Sequence, residues 1–110
     1  MPDRTWKATE RRIAALLGGQ RVPVSGRGRG DQPDIAHPTL SIECKHRRTL
    51  PGWLLEAVAQ AEAANTGGKV SMVALHRAGD RHDDALAVLR LRDVAALVGG
   101  GETRGSMGDG

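Results

Sequence analysis

The chain has 110 residues, the size of one small domain, and it lacks Tyr and Phe, so a thin core must be built mainly from Leu, Val and Ala. A single Cys excludes an intrachain disulfide and a cysteine-based zinc site, and no segment has the roughly 18 apolar residues of a membrane span. The 16 basic residues exceed the 13 acidic ones, and most of them are Arg, which favours a basic face that binds nucleic acid. No basic segment followed by an apolar one opens the chain, so we expect a cytoplasmic protein without a membrane partner.

The first half of the chain predicts one helix followed by three short strands. Residues 6–17 carry apolar side chains at helical spacing, and Gly18-Gly19 ends the helix. The strands are expected over residues 21–25, 34–37 and 40–45. A Gly/Arg loop separates the first two strands, and a turn at Pro38-Thr39 separates the last two.

The second half predicts a long helix, two strands and a short helix. Their expected ranges are 53–65, 69–76, 85–91 and 92–98. The order predicts an α/β fold in which helices flank a central mixed sheet, within a single domain of residues 1–98. The long helix could serve as a crossover between parallel strands. Residues 99–110 are Gly-rich and are expected to be a disordered tail.

Asp34, Glu43 and Lys45 form the first candidate site. Glu43 and Lys45 lie two residues apart on one predicted strand, so they share a face, whereas Cys44 points to the other side. A hairpin through Pro38-Thr39 would bring Asp34 beside Glu43, and hard carboxylate oxygens suit Mg²⁺ or Mn²⁺. The alternative is an exposed Glu–Lys pair beside an ordinary turn Asp.

Two polar side chains occupy inward or edge positions on the predicted helices. Glu10 falls on the apolar stripe of the first helix, where an acid needs a metal or a partner such as Arg21. Gln60 lies among alanines on the second long helix, where it could reach the active-site Lys or DNA, or only satisfy backbone groups. For Glu10 and for Gln60, the sequence is compatible with a functional role and with a purely structural one.

Two basic segments are candidate phosphate contacts. The run Ser25-Gly26-Arg27-Gly28-Arg29-Gly30 lets backbone amides approach phosphates, but it lacks the Gly-Lys-Ser/Thr end of a nucleotide-binding loop. The run His46-Arg47-Arg48 follows Lys45 directly. Either run could instead be a plain solvated segment.

The motifs together resemble the PD-(D/E)xK nuclease superfamily. The matching residues are Glu10, the run Pro33-Asp34-Ile35, the run Glu43-Cys44-Lys45 and Gln60. The segment from Arg21 through Ser25-Gly26 to Ile35 is similar to the Arg, Ser-Gly and Pro-Asp-Ile run of small archaeal and phage-type Holliday junction resolvases. The resemblance spans about residues 6–91 and implies a restriction-endonuclease-like αβββαβ core. The chain is shorter than most members, and its Gly/Arg loop is unusual.

The resemblance implies a set of catalytic roles. Asp34, Glu43 and the Cys44 backbone carbonyl would bind Mg²⁺ or Mn²⁺, and Glu10 would bind a second ion or a metal-bound water. Lys45 would orient the attacking water. The remaining roles are phosphate binding or site shaping by Arg21 and Ser25, and assistance by Gln60.

These expectations predict a metal-dependent, structure-selective DNA endonuclease, specifically a resolvase that hydrolyses four-way junctions. DNA-binding residues would be Arg21, Arg27, Arg29, His46, Arg47 and Arg48. A homodimer would match the two-fold symmetry of a junction and the thin core. The expected setting is the cytoplasm of a bacterial or phage-infected cell. The alternatives are another nuclease of the superfamily, such as a nickase or a repair or restriction component, and a non-catalytic nucleic-acid-binding module.

Overall fold

The computed structural model describes residues 2–23 and 32–99, and these residues form an α/β structure with three α-helices and four short strands. The elements in chain order are α1 (Pro2–Leu17), β1 (Gln20–Arg21), β2 (Ile35–Ala36), α2 (Gly52–Ala63), β3 (Val73–Leu75), β4 (Leu86–Val88) and α3 (Leu91–Leu97). A short 3-10 helix, His82–Asp84, lies between β3 and β4. The predicted α/β class is therefore confirmed. The tail beyond residue 99 and the Gly/Arg loop lie outside the described residues.

Helix α1 begins earlier than predicted and ends where the glycines predict. Its buried side chains are Glu10, Ala14 and Leu17, which share one helical face. Gly18 adopts a φ of 80°, a backbone conformation that favours glycine. The Gly19 N–H then donates a hydrogen bond of 2.8 Å to the Ala14 carbonyl, which ends the helix. A Cβ at Gly19 would lie 2.5 Å from the Ala36 carbonyl oxygen, so this glycine permits the close approach of α1 to β2.

The first three predicted strands form an antiparallel arrangement that is shorter than expected. Strand β1 pairs with β2 in the register Arg21 to Ile35, and Ile35 makes a single antiparallel bridge with Ile42. The hairpin through Pro38-Thr39 is therefore confirmed. The continuous strand predicted over 40–45 is wrong, because the Cys44 N–H bonds to the Asp34 side chain. Because the Cys44 N–H donates to that side chain, it does not donate to the backbone of a neighbouring strand.

His37 joins the hairpin turn to the end of α1. Its Nδ1 accepts hydrogen bonds from the backbone N–H groups of Thr39 at 3.1 Å and Leu40 at 3.2 Å. Because Nδ1 accepts, the ring is in the tautomer whose Nε2–H donates to the Leu17 carbonyl at 2.9 Å. One side chain thus orders the turn that places Ile42 opposite Ile35.

The second half forms a separate antiparallel hairpin. Strand β3 pairs with β4 in the register Leu75 to Leu86, and α2 packs against β3. Within residues 2–23 and 32–99 the strands make two two-stranded sheets, so the predicted single central sheet and the predicted parallel crossover are not formed. Helix α1 packs against α3, which connects the two halves.

The core is thin, as the composition predicts. The described apolar residues that are buried are Ala14, Leu17, Ile35 and Ala95, and α2 has no buried residue at all. Large apolar side chains remain exposed on the second half, with Trp53 at 60% and Leu86 at 67%. A surface of this kind is typical of an interaction site. None of the described helices is both long and apolar enough to cross a membrane.

Candidate functional site

The hydrogen bond between Asp34 and Cys44 is the centre of the candidate site. Asp34 precedes β2 and is only 6% exposed, and its Oδ2 accepts a hydrogen bond of 2.7 Å from the Cys44 backbone N–H. Because β2 is bridged to Ile42, the hairpin holds this carboxylate against the segment that carries Glu43 and Lys45. The structure therefore joins the two halves of the predicted motif.

Glu43 and Lys45 share a face, as their spacing predicts. The Lys45 Nζ lies 3.6 Å from the Glu43 Oε2, and both side chains are largely exposed, at 67% and 62%. An exposed pair of this kind adds little to stability. The arrangement matches the alternative of a solvated Glu–Lys pair, and it leaves both groups accessible to a ligand.

Glu10 is buried on α1 and paired with Arg21. Its side chain is 6% exposed and that of Arg21 is 16% exposed, and the Arg21 Nε donates to Glu10 Oε1 at 2.7 Å. The alternative that Glu10 finds an Arg partner is therefore confirmed. The pair neutralises an acid that would be costly to bury alone.

A cavity of about 310 Å³ brings α1 and the segment after Cys44 together. Its lining residues are Trp6, Thr9, Glu10, Cys44, Lys45, His46 and Arg47. The Thr9 hydroxyl lies 3.3 Å from the His46 Nδ1, so one exposed side-chain contact joins the two walls. Glu10 and Lys45, which are 35 positions apart in the chain, therefore face one cavity.

The cavity combines cationic groups with neighbouring carboxylates. Lys45 and Arg47 are exposed on one wall, and Glu10 is buried in the other. Such cations attract a phosphodiester, and the carboxylates offer hard oxygen donors to a divalent ion. The described residues nevertheless contain no group of three or more His, Cys, Asp or Glu side chains arranged to hold a metal ion.

Several predicted site residues are not brought to this cavity. Gln60 is exposed on α2 and is not among the residues that line it, so it does not occupy the inward position considered for it. Arg48 is exposed just beyond the cavity wall. Ser25, Arg27 and Arg29 lie outside the described residues. The roles of these residues stay predictions.

Trp6 and Thr9 belong to the site but were not predicted as functional residues. Trp6 lies four residues before Glu10, so both fall on one face of α1. That spacing was a usable signal, because it places an aromatic ring beside a candidate catalytic acid. No sequence signal distinguishes Thr9, whose contact with His46 depends on the fold of both segments.

A larger cavity of about 680 Å³ lies at the β3–β4 hairpin. Its lining residues are Trp53, Leu75, His76, Arg77, Asp80, Asp84 and Leu86. Arg77 pairs with Asp80 through two hydrogen bonds, and the His76 ring stacks on His82 at 4.6 Å. These polar groups mostly satisfy one another, so the smaller cavity beside Asp34 is the better functional candidate.

Comparisons with known proteins identify no relative of this chain. No protein-family model matches the sequence, no curated protein matches it, and no solved structure matches the fold.

Proposed function

We propose that the protein is a metal-dependent, structure-selective DNA endonuclease of the PD-(D/E)xK type, and specifically a Holliday junction resolvase. It would hydrolyse phosphodiester bonds of four-way junctions in the cytoplasm of a bacterial or phage-infected cell. The αβββαβ core belongs to this proposal, and the β1–β2 pair with its Ile42 bridge supports the three-strand part of that core.

One observation carries the proposal. The Asp34 carboxylate bonds to the Cys44 backbone N–H, and Cys44 lines one cavity with Glu10 and Lys45. The segments around Glu10, Asp34 and Cys44 are distant in sequence and lie close together here, which supports the proposed motif. Of the three proposed metal-site acids, Glu10 lines the cavity itself, whereas Asp34 and Glu43 adjoin it through Cys44 and Lys45.

The cationic groups of the cavity support a phosphodiester substrate. Lys45 and Arg47 can contact phosphate oxygens, and His46 adds a further polar group on the same wall. In the proposed reaction Lys45 orients the water that attacks phosphorus and offsets the charge that develops there. Contacts from Arg47 and Arg48 to phosphates carry no sequence information, so binding should weaken with added salt.

The carboxylates support a role for Mg²⁺ or Mn²⁺. Asp34, Glu43 and the Cys44 carbonyl would hold the ion, and Glu10 would hold a second ion or its water. Glu43 is exposed and Asp34 is fixed beside Cys44, so oxygen donors of the right type flank one backbone segment. A bound ion would supply a water of lowered pKa and stabilise charge on the phosphate.

The exposed apolar surface supports a homodimer. Helix α2 has no buried residue, and Trp53, Leu55 and Leu86 are all exposed. A second subunit would bury part of this surface and would provide the second active site for paired cuts across a two-fold junction. A monomeric mass by light scattering at micromolar concentration, with and without DNA, would contradict this part of the proposal.

A non-catalytic nucleic-acid-binding module is the second candidate. Glu10 forms a salt bridge with Arg21, and Glu43 forms one with Lys45. The acidic residues that the structure describes do not form a metal-binding group. A basic module would use Lys45 and Arg47 for phosphates without any ion. Another nuclease of the same superfamily would keep the metal chemistry and differ in the DNA that it cuts.

A substrate panel separates these functions. The protein is incubated with a labelled immobile four-way junction, a matched duplex and a single strand, with Mg²⁺ or with a chelator, beside Lys45→Ala. We expect paired symmetric nicks on the junction alone, lost with the chelator and in the variant. Lys69→Ala, an exposed Lys outside this cavity, is the matched control and should cut normally.

The other outcomes are equally specific. Cutting of duplex or single strand in place of the junction would assign the site to another nuclease. Salt-sensitive binding without any cutting in Mg²⁺ or Mn²⁺ would support the binding module and contradict the endonuclease.

A further inference from the structure

Trp6 has contacts that its place on the apolar face of α1 does not require. It is half-buried and lines the cavity with Glu10 and Lys45. The Arg21 Cζ lies 5.6 Å from the Trp6 ring centroid, and the Lys7 Nζ lies 5.5 Å from it. Both distances fall within the range of cation–π attraction, so the ring is an electrostatic partner as well as an apolar one.

The Arg21 guanidinium contacts two side chains of α1. Its Nε donates to the Glu10 carboxylate, while the Trp6 ring lies beside its central carbon. Because Trp6 and Glu10 are four residues apart, the helix presents both to Arg21 from successive turns. A single hydrogen bond would let a planar guanidinium swing about the carboxylate, and a second contact on the ring removes that freedom.

One nitrogen of Arg21 makes the ring contact more important. The Arg21 Nη2 is buried and has no hydrogen-bond partner in the structure of residues 2–23 and 32–99. A buried donor without an acceptor is costly, and a buried cation more so. The aromatic face of Trp6 is an electron-rich surface close to this group, so it offsets part of that cost.

We propose that Trp6 is a positioning residue that fixes the Arg21 guanidinium and, through it, the Glu10 carboxylate at the cavity wall. We call the contacts of Trp6 and Glu10 with Arg21 the clamp. The inference deepens the proposed function, since Glu10 is one of its metal-site acids, but the clamp itself rests on these contacts alone. Without the ring, Arg21 gains freedom to move about the Glu10 carboxylate, and the contact that Arg21 makes with Glu10 becomes less well defined. Trp6 touches the cavity but need not touch the reacting atoms.

Hydrogen exchange of the Arg21 Nε–H tests the clamp directly by NMR. In Trp6→Leu, which keeps apolar volume and removes the ring, we expect exchange with water to speed up about tenfold. Trp6→Phe keeps a ring and should stay within about twofold of the wild type. Trp53→Leu makes the same change at the other Trp and should leave the signal unchanged. An unchanged exchange rate in folded Trp6→Leu would overturn the proposal.

A second measurement decides the matter if Trp6→Leu does not fold. In the wild-type protein the ring should shift the Arg21 side-chain protons upfield, and Trp6→Phe should reduce that shift without abolishing it. Arg21 protons at their ordinary chemical shifts in the wild type would overturn the proposal. Where junction cleavage is observed, folded Trp6→Leu should lower kcat and leave KM unchanged, and Trp6→Phe should stay close to the wild type. Absence of cleavage would count against the endonuclease and leave the NMR result to decide the clamp.

Discussion

Asp34 accepts a hydrogen bond of 2.7 Å from the Cys44 backbone N–H, and this contact links the acid before β2 to the segment that carries Glu43 and Lys45. The Ile35–Ile42 bridge lies beside it, so the side chain continues a pairing that the backbone begins. A buried carboxylate thereby gains a structural role in addition to its proposed catalytic one.

Asp34→Ala and Asp34→Asn should differ in stability. Alanine removes the acceptor and leaves the Cys44 N–H without it, so we expect a loss of about 1–3 kcal/mol in the free energy of unfolding. Asp34→Asn keeps an acceptor oxygen in a side chain of similar shape, so its loss in the free energy of unfolding should be clearly smaller. Urea denaturation followed by circular dichroism measures both values. Equal losses would show that the Cys44 contact does not contribute to folding.

Glu10 and Arg21 should behave as a coupled pair. Removing one partner leaves the other charge buried, so Glu10→Gln and Arg21→Met should each cost about 3 kcal/mol. The double variant should cost less than the sum of the two, because neither charge is then left without the other. A double-mutant cycle in urea measures the coupling, and strict additivity would contradict the pair.

Glu62 should respond to pH through Arg90. The hydrogen bond from the Arg90 guanidinium, with added attraction from Arg90 and Arg92, lowers the pKa of the Glu62 carboxyl below its ordinary value, against the opposing effect of desolvation. Because the pKa is lowered, the pair stabilises the fold fully at a pH above the ordinary Glu pKa. This contribution is lost as the pH falls through the pKa that Glu62 has in the folded protein. Because both side chains are partly exposed, the effect on stability should be small.

A carboxyl NMR titration tests this assignment. Arg90→Gln should raise the Glu62 pKa toward its ordinary value. Arg92→Gln is the matched control, since its nearest nitrogen lies 3.9 Å from the carboxylate, and it should produce a smaller rise. A larger shift in Arg92→Gln would mean that the wrong Arg has been named.

Gly19 and Gly52 should respond in opposite directions to alanine. A Cβ at Gly19 would collide with the Ala36 carbonyl oxygen, so Gly19→Ala should lose about 1–3 kcal/mol of stability. Gly52 begins α2 with nothing within 4 Å of an added Cβ, so Gly52→Ala should be neutral or gain up to about 1 kcal/mol. Thermal melts of both variants check the contrast. A tolerated Gly19→Ala would place α1 further from β2.

Local patterns in the sequence predicted much of the first half. Helical spacing and the two glycines gave the end of α1, and Pro38-Thr39 gave the hairpin that brings Asp34 to Cys44. Glu10 was predicted at the buried face because an acid on an apolar stripe is unusual, and its possible Arg21 partner follows from the same reasoning. These features depend on short-range spacing, which a sequence displays directly.

The pairing of the second half was not predictable in the same way. A helix between two strands favours a parallel crossover, yet β3 pairs with β4 and α2 packs on β3. The choice depends on long-range packing of short apolar runs, which spacing alone does not fix. The inward position considered for Gln60 failed for the same reason, because α2 buries no residue in this chain.

The most direct test of the account compares cleavage and binding in Asp34→Asn. The isosteric amide keeps an acceptor for Cys44 but loses the negative charge proposed to hold the metal ion. We predict that Mg²⁺-dependent cleavage of a four-way junction falls by about a hundredfold or more, while binding to the same junction is kept or improved because a repulsive charge is gone. Intact cleavage together with lost binding would contradict the assignment of Asp34 to the catalytic centre.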